Sequence, residues 1–148
     1  MTKEIKVYEM IPGLLFQRGE FMAFPLDFKV TEMKRLGVRI IVNMYKYPDK
    51  ELSKYMKAYF NLYMPDNKIP DPAGLLLHAK VIAKMMPAYP VLVHCHAGRN
   101  RSALMSALIC MEHLHMTGKE AVEYVRSKRP NALANKHFVQ FLNGLNSL

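Results

Sequence analysis

At 148 residues, 51% of them apolar and 22% charged, the chain suits one domain, 1–148, with room for a sizeable core. No apolar run approaches the ~20 residues of a membrane helix, and the charged stretch MTKEIKVYEMIPGLLFQRG lacks a small-residue cleavage signal. A membrane span and a secretory peptide are therefore not expected, and a cytoplasmic setting is. The 21 Lys and Arg against 12 Asp and Glu leave a net charge of +9, which favours an anionic partner: phosphoprotein, nucleic acid or an anionic lipid surface. A solvated basic surface has the same composition, so charge does not choose among these.

Leu14–Arg18 and Val38–Met44 read as strands, the second a nearly continuous apolar run of the buried kind. Between them LDFKVTEMKRLG gives a short amphipathic helix closed by Gly37. Pro48-Asp49 opens another short helix, and Tyr59–Met64 reads as a further strand. MPDNKIPDPAG, rich in proline, is a loop. Leu75, Leu76, Ala79, Ile82, Ala83 and Met86 then recur at helical spacing. Val91–His94 is the last strong strand and Ser102–Met116 a helix. Thr117-Gly-Lys-Glu120 fits a capping box for a helix that Pro130 ends, and a final helix covers Asn135–Leu142. Alternating strands and helices predict an α/β layered domain, its mainly parallel sheet of four to five strands flanked by helices. No repeat or long linker argues for a second domain.

Chemistry concentrates in VLVHCHAGRNRS, residues 91–102. The loop from Cys95 to Arg101 lies between a buried strand and a helix start. Successive N–H groups in such a turn converge on one point, and the helix N-terminus adds positive potential, which together cradle a tetrahedral dianion. Gly98 supplies the backbone freedom, and Arg101 can close the cradle with a bidentate fork. A free thiol, with a pKa of ~8.5, is only a few per cent ionised at neutral pH. Convergent donors, a helix N-terminus and a nearby arginine favour the thiolate. Cys95 is thus expected to be an activated nucleophile. Cys110, the other cysteine, falls on a helix face of core residues, too far along to bridge Cys95.

A phosphoester attacked by a thiolate also needs a proton donor for its leaving oxygen. Asp66 and Asp71, in the proline-rich loop, are the candidates. Asp66 is preferred because Pro65 stiffens the chain that aims it; for both, a turn residue bonding its own backbone is the alternative.

HCHAGRNRS resembles the signature loop of the cysteine-dependent protein tyrosine phosphatases, above all the dual-specificity branch and compact bacterial or phage enzymes akin to it. IPGLLFQRG, GVRIIVNM and VRSKRPNALANKHFVQFL resemble that family's opening strand, second core strand and closing helices. YMPD resembles its mobile acid loop, with Met in place of Trp. The resemblance implies a tyrosine phosphatase-like fold in which Cys95 attacks phosphorus. The N–H groups of His96, Ala97, Gly98, Arg99, Asn100 and Arg101 and the Arg101 side chain would bind the phosphoryl group. Asp66 would be the acid, and Ser102 would assist the thiolate and the breakdown of a phosphocysteine. His94 would orient the loop from behind, or simply pack in the core. Asn135 would brace the loop from the closing helix, or simply cap that helix. Asn100 departs from the commoner serine or glycine before the arginine.

The implied activity is a phosphotyrosine, and also phosphoserine or phosphothreonine, phosphatase acting as a monomer on a phosphoprotein. No obligatory nucleic acid or cofactor is expected. No metal is expected either, since His94 and His96 flank the nucleophile without completing a tetrahedral set. Alternatives left open are a lipid phosphatase acting on phosphoinositide or phosphatidylglycerophosphate at a peripheral anionic surface, an RNA 5′-phosphatase, and a catalytically silent phosphate-binding module.

Overall fold

A computed structural model of the chain describes residues 3–148. Two four-residue runs, Ile40–Asn43 and Val91–His94, are buried at every position, as strands covered on both faces must be. Numbered along the chain, the strands are Tyr8–Ile11 (β1), Leu15–Arg18 (β2), Ile40–Asn43 (β3), Ala58–Asn61 (β4) and Val91–His94 (β5). They form one sheet in the order β1-β2-β5-β3-β4, with β1 antiparallel to β2 and the other pairings parallel. The helices are Leu26–Leu36 (α1), Lys50–Ser53 (α2), Pro72–Met85 (α3), Arg101–Leu114 (α4), Gly118–Lys128 (α5) and Lys136–Asn143 (α6).

Strand alternation divides the core into two layers. Leu15, Ile40, Val42, Val91 and Val93 pack with residues of α3, α4, α5 and α6, whereas Phe16, Ile41 and Leu92 pack with Met33 of α1 and Leu52 of α2. α4 is buried at each residue from Ser102 to Met111, the pattern of a helix enclosed on all sides. The predicted caps are present. Gly37 takes φ 76° after α1, and Thr117 and Glu120 exchange both capping-box hydrogen bonds at the start of α5.

Two sequence expectations need correction. β1 was not foreseen. It is an edge strand exposed at Tyr8 and Glu9, and it turns into β2 through Pro12-Gly13, where Leu14 N–H donates to Ile11 O (3.0 Å) and Gly13 has φ 70°. The strand expected at Tyr59–Met64 is Ala58–Asn61 instead. Its partner β3 ends at Asn43, whose carbonyl accepts one last bond from Leu62 N–H (2.8 Å), and the Met64 carbonyl is taken by Arg101. The five-strand mainly parallel α/β architecture is as the pattern predicts.

β5 lies centrally, so its carboxyl end opens between the loops that follow β2, β3 and β4, where open α/β sheets place their ligands.

Candidate active site

Cys95 leaves the end of β5, and Arg101 opens α4, so the intervening turn must reverse the chain within five residues. Gly98 makes this possible with φ 74°, and it also packs so tightly that a Cβ would come within 2.4 Å of Gly19 N. Each carbonyl of the turn is taken by a donor, four of them by groups outside the turn and Asn100 O by the first turn of α4. His96 O accepts from Glu20 N–H (2.9 Å), Arg99 O from Leu133 N–H (2.8 Å) and Asn100 O from Leu104 N–H (2.8 Å). Ala97 O accepts from Arg129 Nη2 (3.2 Å), and Gly98 O from Gln17 Nε2. With their carbonyls engaged, the amides of the turn are left without partners of their own, one excepted. Gly98 N–H donates to Cys95 Sγ at 3.1 Å, while those of His96, Ala97, Arg99 and Asn100 meet no acceptor among the described residues.

Cys95 is 2% exposed, and its Sγ lies 3.3 Å from Ser102 Oγ. That hydroxyl already accepts from Gln17 Nε2 (2.5 Å), which leaves its own proton free for the sulfur. Arg101 donates through Nη1 to Met64 O (3.0 Å), and its guanidinium lies 5.8 Å from the Tyr45 ring centroid and 6.0 Å from that of Tyr63. Its Nε is buried without a partner among the described residues, a donor an oxyanion would satisfy. Tyr45 stacks on the exposed imidazole of His96 with centroids 4.9 Å apart.

Asp66 hangs over this turn. Its Oδ2 accepts from Asn100 Nδ2 (3.0 Å) and its Oδ1 from Asn135 Nδ2 (3.1 Å). Asp71 faces elsewhere: its Oδ1 accepts from Gly74 N–H (3.0 Å) as the N-cap of α3, beside a cavity of about 170 Å³ under Tyr63 and Met64. Asn135 caps α6 through His137 and Phe138 N–H, and its Nδ2 meets Asp66 rather than the Cys95–Arg101 turn, which it touches through its backbone N–H to Asn100 Oδ1 (2.9 Å). His94 is a core histidine. It packs edge-on against Phe21 at 5.2 Å, reaches the Cys95 carbonyl only at 3.5 Å, and is pushed down to about 4 by burial. Burial likewise pushes the Cys110 thiol up to about 12, and the two cysteines are not bridged. No three His, Cys, Asp or Glu side chains gather as a metal site among the described residues.

Sequence reading missed the supports. Gln17, fully buried in β2, was signalled only as a polar residue inside an apolar run. Arg129 bonds the turn, and Arg126 bonds the carbonyls of Ala132 and Leu133, which present Leu133 N–H to Arg99. The sole signal of either was its place at the end of an amphipathic helix, Arg126 in the last turn and Arg129 just after it, before Pro130.

The family described as "Dual specificity phosphatase, catalytic domain" matches residues 25–147. Protein tyrosine phosphatase domain-containing protein 1 of Mus musculus is 29% identical over 97 residues, 61% of this chain but 13% of that protein. Phosphatidylglycerophosphate phosphatase PTPMT2 of Arabidopsis thaliana is 31% identical over 118 residues, 75% of this chain and 52% of that protein. The chain thus spans about half, or far less, of the curated relatives it matches. Among solved structures, Tk-PTP in its active form has a TM-score of 0.78 at 22% identity over 95% of both chains. The human tyrosine phosphatase-like serine/threonine/tyrosine-interacting protein has a TM-score of 0.72 at 24% identity over 92% of both chains. These two likenesses are of fold. With a family match running from α1 to the end of α6, the chain belongs to the dual-specificity phosphatase catalytic-domain family.

Proposed function

We propose that the chain is a cysteine-dependent phosphomonoesterase whose substrates are phosphotyrosine, and also phosphoserine or phosphothreonine, in proteins. The observation that carries this is that every carbonyl from His96 to Asn100 is held by a donor, while Gly98 N–H donates to the Cys95 sulfur and the amides of His96, Ala97, Arg99 and Asn100 meet no acceptor among the described residues. A metaphosphate-like group in transfer carries negative charge on three equatorial oxygens, and fixed amides plus the unpaired Arg101 Nε meet such charge at no cost of reorganisation. In this reading Cys95 Sγ forms a bond to phosphorus as the ester P–O bond breaks, and Asp66 gives its proton to the leaving oxygen. Water then attacks phosphorus, Asp66 takes a proton from that water, and the S–P bond breaks with the Ser102 hydroxyl stabilising the departing thiolate.

The tyrosine rings flanking Arg101 suit an aromatic leaving group. The similarity to a plant phosphatidylglycerophosphate phosphatase favours a second reading, a lipid phosphoester, for which exposed Arg99 and His96 offer positive charge. A panel of phosphotyrosine, phosphoserine and phosphothreonine peptides beside phosphoinositides and phosphatidylglycerophosphate, assayed for released phosphate with chelator present, separates them. The first reading predicts preference for phosphotyrosine peptides and full activity in chelator. Strong selectivity for lipid head groups supports the second, and loss of activity with chelator overturns the mechanism of both.

A further inference from the structure

We propose that Asn100, inside the phosphate loop, is a positioning residue that fastens the Asp66 loop over the site before substrate arrives, acting through Asp66. The inference rests on the reading of Asp66 as the proton donor and adds how that donor is held.

Asn100 Oδ1 accepts from Asn135 N–H (2.9 Å), and Asn100 Nδ2 donates to Asp66 Oδ2 (3.0 Å). A backbone N–H can only donate, so the amide oxygen must face Asn135 and the NH2 group must face the carboxylate. Asn135 Nδ2 meets the other oxygen, Oδ1, at 3.1 Å, and also the Asn67 carbonyl at 3.3 Å. The carboxylate therefore has one asparagine amide on each oxygen, which fixes both the loop and the rotation of the carboxyl plane. Asp66, Asn67 and Lys68 are all exposed, so little packing does this work in their place. The other tie on the segment is Arg101 Nη1 to Met64 O, two residues away.

The anchor is held at both ends of its amide. Asn100 is the N-cap residue of α4, but its side chain bonds no helix amide. It is committed instead to linking Asp66, the phosphate loop and the start of α6. A serine or glycine at this position is too short to span the same gap. The acid in this chain is thus positioned by the loop that binds the phosphoryl group, and a shift of that loop moves both.

The test is a series of aryl phosphates of rising leaving-group pKa, with kcat/KM measured for Asn100→Ala, Asn100→Asp, Asp66→Asn and Asp66→Asn/Asn100→Ala. Melting curves and far-ultraviolet spectra control for folding. Asp66→Asn should lose about 100-fold or more on the poorest leaving group, the size of a general-acid contribution. Asn100→Ala should lose about 10- to 100-fold there and much less on the best, the signature of a misplaced acid. Asn100→Asp, which keeps the acceptor for Asn135 N–H but sets a second carboxylate against Asp66, should show the same slope. In the Asp66→Asn background the Asn100→Ala change should add nothing, since its effect passes through Asp66. A loss that is equal for all leaving groups, or that adds in full to Asp66→Asn, overturns the proposal. So does a normal Asp66→Asn phenotype with Asn100→Ala at wild-type rates. An Asp66→Asn variant with unchanged rates overturns the acid assignment and this proposal with it.

Discussion

His94 shows how the burial of a single side chain ties the stability of the fold to pH. It ends the central strand, directly before Cys95, and its ring is buried against Phe21. Burial holds it neutral, with a pKa of about 4 against an ordinary value near 6.5. The unfolded chain binds a proton there at a pH where the fold does not, so the fold loses stability as pH drops from 6.5 toward 4. The shift corresponds to roughly 3 kcal/mol over that window. Urea midpoints of the wild type and a His94→Gln variant, measured from pH 7 to pH 4, check this. The wild type should lose ground relative to the variant as pH falls, and parallel curves would contradict the account. The residue scale was partly legible in the sequence. Cys95, Arg101 and Ser102 announced themselves because nucleophile, arginine and hydroxyl share one short stretch with fixed spacing. Gln17 and Arg129 did not, because their partners are carbonyls more than 30 residues away, and hydrogen-bond partnership across such separations leaves no local pattern.

At the scale of elements, the loop after β3 carries Tyr45 to the site and depends on a polar cluster behind it. Tyr45 N–H donates to Asn43 Oδ1 (2.7 Å), and Asn43 Nδ2 donates to Tyr47 O (2.9 Å) and Tyr59 OH (3.1 Å). The Tyr59 hydroxyl also accepts from Asp49 N–H (2.9 Å), and Asp49 pairs with Lys29 of α1 at 2.5 Å while capping Leu52 of α2. The Lys29–Asp49 pair is nearly inaccessible, with side-chain exposures of 6% and 11%. Removing one member of a buried pair strands the other charge, at a cost of about 3–5 kcal/mol. A Lys29→Ala variant should therefore unfold at a markedly lower denaturant concentration than the wild type. A loss below about 1 kcal/mol would place this pair among weakly contributing surface bridges. Elements with their own punctuation were legible: β5 by its apolar run, α1 by Gly37, α5 by its capping box. β1 was missed although Pro12-Gly13 marks its turn, because half of the strand is exposed and polar. The end of β4 was misplaced because partner length, not local propensity, decides where a ladder stops.

At the scale of the whole molecule, segments from β2, β3, β4, β5 and the α5–α6 connection all end around one sulfur, and the chain as a whole carries a net charge of +9, which favours anionic partners. No helix among the described residues is long and apolar enough to cross a membrane. The convergence has one chemical purpose in this account, the transient transfer of a phosphoryl group to Cys95. Its most direct measurement is the mass of peptides from an acid-quenched Asp66→Asn variant turning over an aryl phosphate with a good leaving group. That substrate needs no acid to load the enzyme, whereas hydrolysis of the intermediate lacks its base. One phosphoryl group is expected on the peptide containing Cys95, absent from a Cys95→Ser variant that also fails to turn over. A phosphoryl group on another side chain, or a Cys95→Ser variant as active as the wild type, would contradict transfer to Cys95.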